Sequence, residues 1–255
     1  KNFKILLPDI KTQKIITKTL QNIDEKIDIN NYIISNLEEL AQTLFKRWFV
    51  DFEFPNEEGK PYKSSGGKMV ESELGLIPEG WSVIELKDII DYSNGYAFKS
   101  KDYQETGKYK VITIRNVKDG KFDLSNVSKV HEIPERIRED QILNIGDILM
   151  SLTGNVGRVA IVDEDNCLLN QRVAKISSLE NDYKGFTYFI LRNNEIFNKI
   201  VSLGKGSAQQ NLSPVEMLKI KTVIPKSVDN IVLNKFNTMF NNLIHNEIES
   251  KKLIN

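Results

Sequence analysis

Cysteine and histidine are scarce in this chain: Cys167 is alone, and His131 and His245 stand far apart in 255 residues. A lone cysteine excludes an intrachain disulfide and a thiolate metal cage, and reads as a small buried apolar side chain. Two distant histidines argue against a His-rich metal site. No apolar run approaches the ~18 residues of a membrane span, and no signal-peptide pattern is visible. A cytoplasmic protein is therefore expected. Net charge is also missing, with 35 basic against 35 acidic residues. A neutral total neither supports nor opposes nucleic-acid binding when the charges are segregated. Between Arg192 and Lys226 they are, with six basic residues and two acidic ones.

Catalytic signatures are absent too. Neither "GNVGRVA" nor "GKGSA" has the spacing of a phosphate-binding loop. There is no Gly-x-Ser-x-Gly elbow, and no Asn/Asp-Pro-Pro-aromatic motif of the kind that methylates a flipped base. Acidic groups such as Asp24–Glu25 and Asp163–Glu164–Asp165 read as solvated helix face and turn. The residues point to binding without covalent chemistry, and no metal or cofactor is expected in the chain itself.

What the sequence does have is a long heptad pattern. Ile16, Leu20, Ile23, Ile27, Asn30, Ile34, Leu37, Ala41, Leu44 and Trp48 alternate steps of four and three, an a/d seam with one polar member, Asn30. Asp9 or Thr12 is placed to cap its start, behind Pro8. Such a helix, some 38 residues and roughly 57 Å long, needs a partner. Val232, Phe236, Met239, Leu243, Asn246, Ser250 and Leu253 repeat the rhythm 216 positions later, with Asn246 in the place of Asn30. One helix enters the intervening region and the other leaves it, so they are expected to pair antiparallel. Asn30 and Asn246 are then expected to meet across the seam and fix its register.

The remaining organisation follows from composition, 40% hydrophobic and 27% charged, which is that of a folded protein. Residues 1–50 read as the first long helix, 51–79 as a Pro/Gly/Ser-containing linker, 80–225 as a globular head and 226–255 as the second helix. Within the head, "YKVITIRNV", "GDILMSLTG", "GRVAIVDED", "NQRVAKISS" and "LKIKTVI" read as short strands, and "GFTYFILRNNEIFNKIVSL" as one helix. The expected fold is α+β: a mixed, mostly-β head with one or two helices, inserted between two long helices that form an antiparallel coiled coil.

Polar residues crowd the strand ends of this head. "SLTGNVGR" offers Ser151, Thr153, Asn155 and Arg158 around two glycines. "NQR" offers Asn170 and Arg172, and "TIRN" offers Arg115 and Asn116. "GKGSAQQNLSP", after a helix C-terminus, gathers Lys205, Ser207, Gln209, Gln210 and Asn211, while Ser213-Pro214 is placed to start a further helical turn. Asn and Gln pair with adenine edges and Arg with guanine, whereas Lys, Ser, Thr and backbone N–H groups hold phosphates.

The run "LPDIKTQKIITKTLQNIDEKIDINNYIISNLEELAQTLFKRWFVDFEF" followed by "GLIPEGWSVIELKDI" resembles the central conserved region of type I restriction–modification specificity (S) subunits. "NGYAFKSKDY", "LNIGDILMSLTGNVGRVAIV", "LNQRVAKI" and "GKGSAQQNLSPVEMLKIKTVIP" are similar to the framework of their target recognition domains, so the likeness covers nearly the whole chain. It implies a non-catalytic subunit whose head reads one half of a split duplex-DNA sequence. It further implies helices that set the spacing and dock methyltransferase (M) subunits, which bind S-adenosylmethionine, with ATP-driven restriction (R) subunits completing the assembly.

This chain departs from that pattern in having one head. It reads either as the C-terminal half of a full subunit or as a half-subunit that dimerises. "KNFKILLPDI" resembles the tail of a preceding domain, and the second helix stops short at Asn255. On this reading Ser151, Thr153, Asn155, Arg158, Asn170, Arg172, Lys205, Ser207, Gln209, Gln210 and Asn211 are expected to line the DNA face, with Arg115, Asn116 and Lys99 as second choices. Phe45, Trp48, Phe49 and Phe52, at an end of the first helix expected to be exposed, are assigned to M-subunit docking; the alternative is that these rings only pack helix against head. The competing reading is a coiled-coil adaptor whose head binds protein.

Overall fold

Asp9 opens the first long helix. Its carboxylate accepts from the backbone N–H groups of Lys11 and Thr12 at 2.9 and 3.0 Å, and from the Thr12 hydroxyl at 2.9 Å. These bonds satisfy donors that a first helical turn leaves free. The structure, a computed structural model, describes residues 6–204, 210–226 and 230–254. Helix α1 spans Ile10–Phe45 and passes into one π-helical turn, Lys46–Val50. The last helix, which we call α5, spans Asn230–Ile254.

The two helices run antiparallel. Lys26 and Asn30 of α1 reach Glu249 near the end of α5, whereas the rings of Phe45 and Trp48 meet Phe236 near its start. At ~1.5 Å per residue they measure about 54 and 37 Å. The seam is accordingly covered only from Ile23 onward; Ile16 and Leu20 are 47% and 56% exposed. Asn30 and Asn246 are both buried in the seam but do not bond to each other as expected. Asn30 Nδ2 donates to Glu249 Oε2 at 3.0 Å, and Asn246 Nδ2 donates to the Asn242 carbonyl one turn back at 2.7 Å. A carboxylate is the stronger acceptor, and Glu249 also pairs with Lys26 at 2.9 Å. The oxygen of the Asn30 amide is left without a partner.

At the aromatic end of α1 the rings pack helix against head and are not exposed for docking. Phe45, Trp48 and Phe49 are 3%, 7% and 7% exposed, and Phe52 is partly buried. The π-helical turn adds a residue to the helical repeat, and the adjacent rings of Trp48 and Phe49 both enter the core. Phe49 lies 5.0 Å from Phe45, 5.0 Å from Phe186, 5.6 Å from Trp81 and 6.1 Å from Phe236. These rings join helix to head and are not free to dock another subunit. Residues 51–79, read as a linker, carry structure of their own. Phe54 stacks between Tyr62 and Trp81, and β1 (Met69–Ser72) pairs antiparallel with β2 (Gly75–Pro78).

The head contains strands β3 (Trp81–Glu85), β4 (Ile90–Asn94), β5 (Tyr109–Ile112), β6 (Ser128–Val130), β7 (Ile142–Leu143), β8 (Ile148–Ser151), β9 (Val159–Ile161), β10 (Cys167–Leu169), β11 (Val173–Ser178) and β12 (Lys221–Pro225). One four-stranded sheet is antiparallel, in the order β4-β11-β8-β9. A second, β6-β5-β10-β7, is mixed because β5 and β10 run parallel. Strands β3 and β12 form a separate antiparallel pair. The expected single helix is broken in two, α2 (Lys184–Arg192) and α3 (Asn194–Leu203). Asn193 takes an extended conformation between them, and its side chain caps α3 by accepting from Glu195 and Ile196 N–H. The short helix α4 (Pro214–Leu218) starts at Ser213 as expected, with Pro214 in its first turn.

Polar contacts fix how the head sits on the helix pair. Asn237 of α5 accepts from Gly185 N–H at 2.7 Å and donates to the Asp182 carbonyl at 2.8 Å, gripping the start of α2. Glu38 of α1 takes a hydrogen bond from Tyr188 and pairs with Arg192 at 2.7 Å, and Arg192 also holds Asp119 of the head. Lys251 of α5 pairs with the buried Asp163.

Two predictions follow from this packing. A Cβ on Gly185 would lie 2.5 Å from the Phe236 carbonyl, a backbone atom that cannot turn aside. Gly185→Ala should therefore destabilise the fold by ~1–3 kcal/mol, read from a lower denaturant midpoint. Burial pushes the Cys167 thiol up to about 12. Since the thiolate is the nucleophile, Cys167 should resist Ellman's reagent at pH 8 in the native protein and react fully once unfolded.

Candidate nucleic-acid interface

Leu152, the first residue after β8, ties three chain segments into one surface. Its N–H donates to the Arg172 carbonyl at 3.0 Å, and its own carbonyl accepts from Leu212 N–H at 2.8 Å. Next to it Thr153 bridges Asn211, and Gly154 N–H donates to the Gln210 carbonyl at 3.2 Å. The loops 152–158, 170–172 and 210–212 thus lie side by side, although they come from separate parts of the sequence. Gly154 and Gly157 have φ of +72° and +81°, the left-handed region that glycine adopts without strain. They let the first loop fold back on β8, where Gly157 N–H donates to the Ser151 carbonyl at 3.0 Å.

Side chains of these loops divide into supports and presented groups. Ser151 was expected on the DNA face but is fully buried. Its hydroxyl donates to the Asn155 carbonyl and accepts from Arg158 N–H, so it holds the loop's shape. Asn170 is 5% exposed and its Oδ1 accepts from Arg172 N–H at 3.2 Å, which also makes it a support. Asn116, 2% exposed, accepts from both the N–H and the hydroxyl of Thr113 and donates to the Asp123 carbonyl. "TIRN" is accordingly a turn locked by its own asparagine, and not a strand. Thr153 is partly buried, with its hydroxyl enclosed and unpaired. Asn155, Arg172, Gln210, Asn211, Arg115 and Lys99 are exposed and Arg158 partly so. Lys205, Ser207 and Gln209 lie outside the described residues.

Two neighbouring segments extend the surface. The 113–116 turn adjoins the first loop, since a Cβ on Gly154 would be 3.4 Å from Ile114 Cδ1. Residues 96–103 cover the start of 170–172: Tyr96 N–H donates to the Leu169 carbonyl at 2.8 Å, and Gln171 N–H donates back to the Tyr96 carbonyl at 3.0 Å. This approach requires Gly95, where a Cβ would lie 2.2 Å from the Asn170 carbonyl oxygen. Sequence reasoning missed two residues on this surface. Gln171, the middle of "NQR", is exposed while Asn170 is buried, as alternation along an extended segment would have indicated. Tyr103 is partly exposed on the 96–103 segment, its ring 6.4 Å from that of the buried Phe98. Burial raises its hydroxyl pKa, with the nearby Asp102 adding to the rise and Arg172 opposing it.

The arrangement offers amide, guanidinium and hydroxyl groups on one face of the head. Among the described residues no cluster of His, Cys, Asp or Glu could hold a metal ion, and no helix is long and apolar enough to cross a membrane. What the face can do chemically is donate and accept hydrogen bonds in a fixed pattern and hold anions.

Comparison with known proteins gives a family. Residues 78–252 match the type I restriction modification DNA specificity domain. The chain is 30% identical over 251 residues to the type I restriction enzyme MjaVIII specificity subunit of Methanocaldococcus jannaschii, covering 91% of this chain and 56% of that protein. It is 26% identical to the MjaIX specificity subunit of the same organism, covering 100% of this chain and 57% of that protein. The chain therefore spans little more than half the length of these relatives. Among solved structures, the type I restriction–modification S subunit from M. genitalium shares the fold, with a TM-score of 0.51 at 15% identity over 96% of this chain and 56% of that one. With the family's domain matched across the head and most of α5, on a head inserted between paired long helices, the chain belongs to the type I restriction–modification DNA specificity family.

Proposed function

We propose that this chain is a DNA-sequence-recognition component of a type I restriction–modification complex, reading one half of a split duplex target. The observation that carries this reading is the face built by loops 152–158, 170–172 and 210–212. Its exposed Asn155, Arg172, Gln210 and Asn211 are of the types that pair with base edges, while Arg115 and Lys99 suit phosphates. Supporting it, the relatives of this chain are named as specificity subunits of type I restriction enzymes. On this reading the chain contributes no catalytic group. Methyltransferase subunits bind S-adenosylmethionine and dock on the helix pair, restriction subunits bind ATP, and the complex acts on DNA in the cytoplasm. The buried aromatic rings at the end of α1 are not part of the docking surface.

Salt dependence tests the DNA reading against a protein-binding head. Duplex binding should weaken with salt, with a log–log slope near −0.9 for each phosphate neutralised; a flat response between 50 and 200 mM would contradict it. Base reading is tested by a pair of variants. Gln210→Ala should lose ~1–3 kcal/mol on the preferred sequence and relax the preference at one base pair, leaving random DNA unaffected. Lys205→Ala should weaken binding to all sequences alike. Equal losses on preferred and random duplexes for Gln210→Ala would remove it from the reading set.

A further inference from the structure

At residues 170–173 the chain turns from β10 of the mixed sheet into β11 of the antiparallel one, and its backbone is pinned throughout. Val173 N–H closes the turn on the Asn170 carbonyl at 2.9 Å. Asn170 N–H donates to the Ile112 carbonyl at 3.1 Å, and Gln171 N–H to the Tyr96 carbonyl at 3.0 Å. Arg172 N–H is taken by the Asn170 side chain at 3.2 Å, and the Arg172 carbonyl accepts from Leu152 N–H at 3.0 Å. Every backbone N–H of the turn is therefore bonded, and neighbouring segments hold it from both sides.

The two central residues of this turn are the ones left to solvent. Asn170 and Val173 are 5% and 0% exposed, whereas Gln171 and Arg172 between them are both exposed. Among the described residues neither of these two side chains has a hydrogen bond or an ion pair, so their polar groups are spare. Consecutive Cα atoms lie ~3.8 Å apart, and successive base pairs are stacked ~3.4 Å apart along a duplex. Two readers so placed reach the same base pair or adjoining ones. Glutamine pairs bidentately with adenine and arginine with guanine. One base pair holds one purine, so the two residues cannot share it.

We propose that Gln171 and Arg172 form a two-residue reading unit that selects an A·T pair beside a G·C pair in the recognised half-site. This pairing rests on the DNA reading above and adds the two bases and their adjacency. The pinned turn suits the task, because bidentate contacts tolerate little displacement of the groups that make them.

The test uses the full chain and a randomised duplex library. Wild type should enrich a half-site with A·T and G·C at neighbouring positions. Gln171→Ala should lose the A·T preference alone, with about 5- to 150-fold weaker binding to the sequence that wild type prefers and unchanged binding to random duplex. Arg172→Ala should lose the adjoining G·C preference, with a larger loss on the preferred sequence than on random duplex. Gln171→Glu should change the preferred base at its position from adenine to cytosine, whose N4 donates to a carboxylate. Loss of preference at positions that do not adjoin overturns the inference. So does recovery of the preferred sequence at wild-type affinity by Gln171→Ala, or equal weakening on all sequences, which would make the pair a phosphate contact. Each of these results leaves the DNA reading intact. A library from which wild type enriches nothing overturns the DNA reading and this inference together.

Discussion

The cluster of rings where α1, α5, α2 and β3 meet is the contact on which the rest of the architecture depends. Phe45 from α1, Phe49 from the π-helical turn that follows it, Phe186 from α2, Trp81 from β3 and Phe236 from α5 lie with centroids 5.0–6.2 Å apart in successive pairs. Each such pair contributes about 0.5–1.5 kcal/mol beyond the area it buries. An antiparallel pair of amphipathic helices can slide along its seam, because leucine and isoleucine contacts are not directional. Large rings of fixed shape, inserted from the head, remove that freedom. The π-helical turn at Lys46–Val50 is the local distortion that brings two adjacent aromatic residues into the same core.

Around this anchor the polar contacts act as orientation. The Asn237 grip on α2, the Glu38–Tyr188–Arg192 group and the Lys251–Asp163 pair each connect a long helix to a separate part of the head. Partly buried pairs such as Arg192–Glu38, with 14% and 18% side-chain exposure, add modest net stability. Their geometry nonetheless admits one rotation of the head. Under the proposed function the face must be presented at a fixed place relative to the helices, and that constraint matters more than added stability.

The candidate face shows the limits of reading residue types in order. The loops "SLTGNVGR", "NQR" and "TIRN" were marked by their polar content, and the structure brings them together. Yet Ser151, Asn170 and Asn116 proved to be the buried supports of those loops, with their polar atoms bonded to backbone. Short polar side chains serve equally well to present a group or to lock a turn, and sequence does not distinguish the two uses. Gln171 and Tyr103 were missed for the converse reason. One was overshadowed by its neighbours, and the other lies on the 96–103 segment, which only backbone bonds to 169–171, far away in sequence, bring to the face.

The amino-acid sequence by itself determined the two long helices, their antiparallel pairing, the mostly-β head between them and the lack of catalytic motifs. Those features follow from period, spacing and composition, which are local. It could not determine that Glu249 takes Asn30, that the rings of Trp48 and Phe49 are buried, or which loop residues face outward. Each of these depends on backbone hydrogen bonds and packing between residues distant in the chain, and only the tertiary structure supplies those partners.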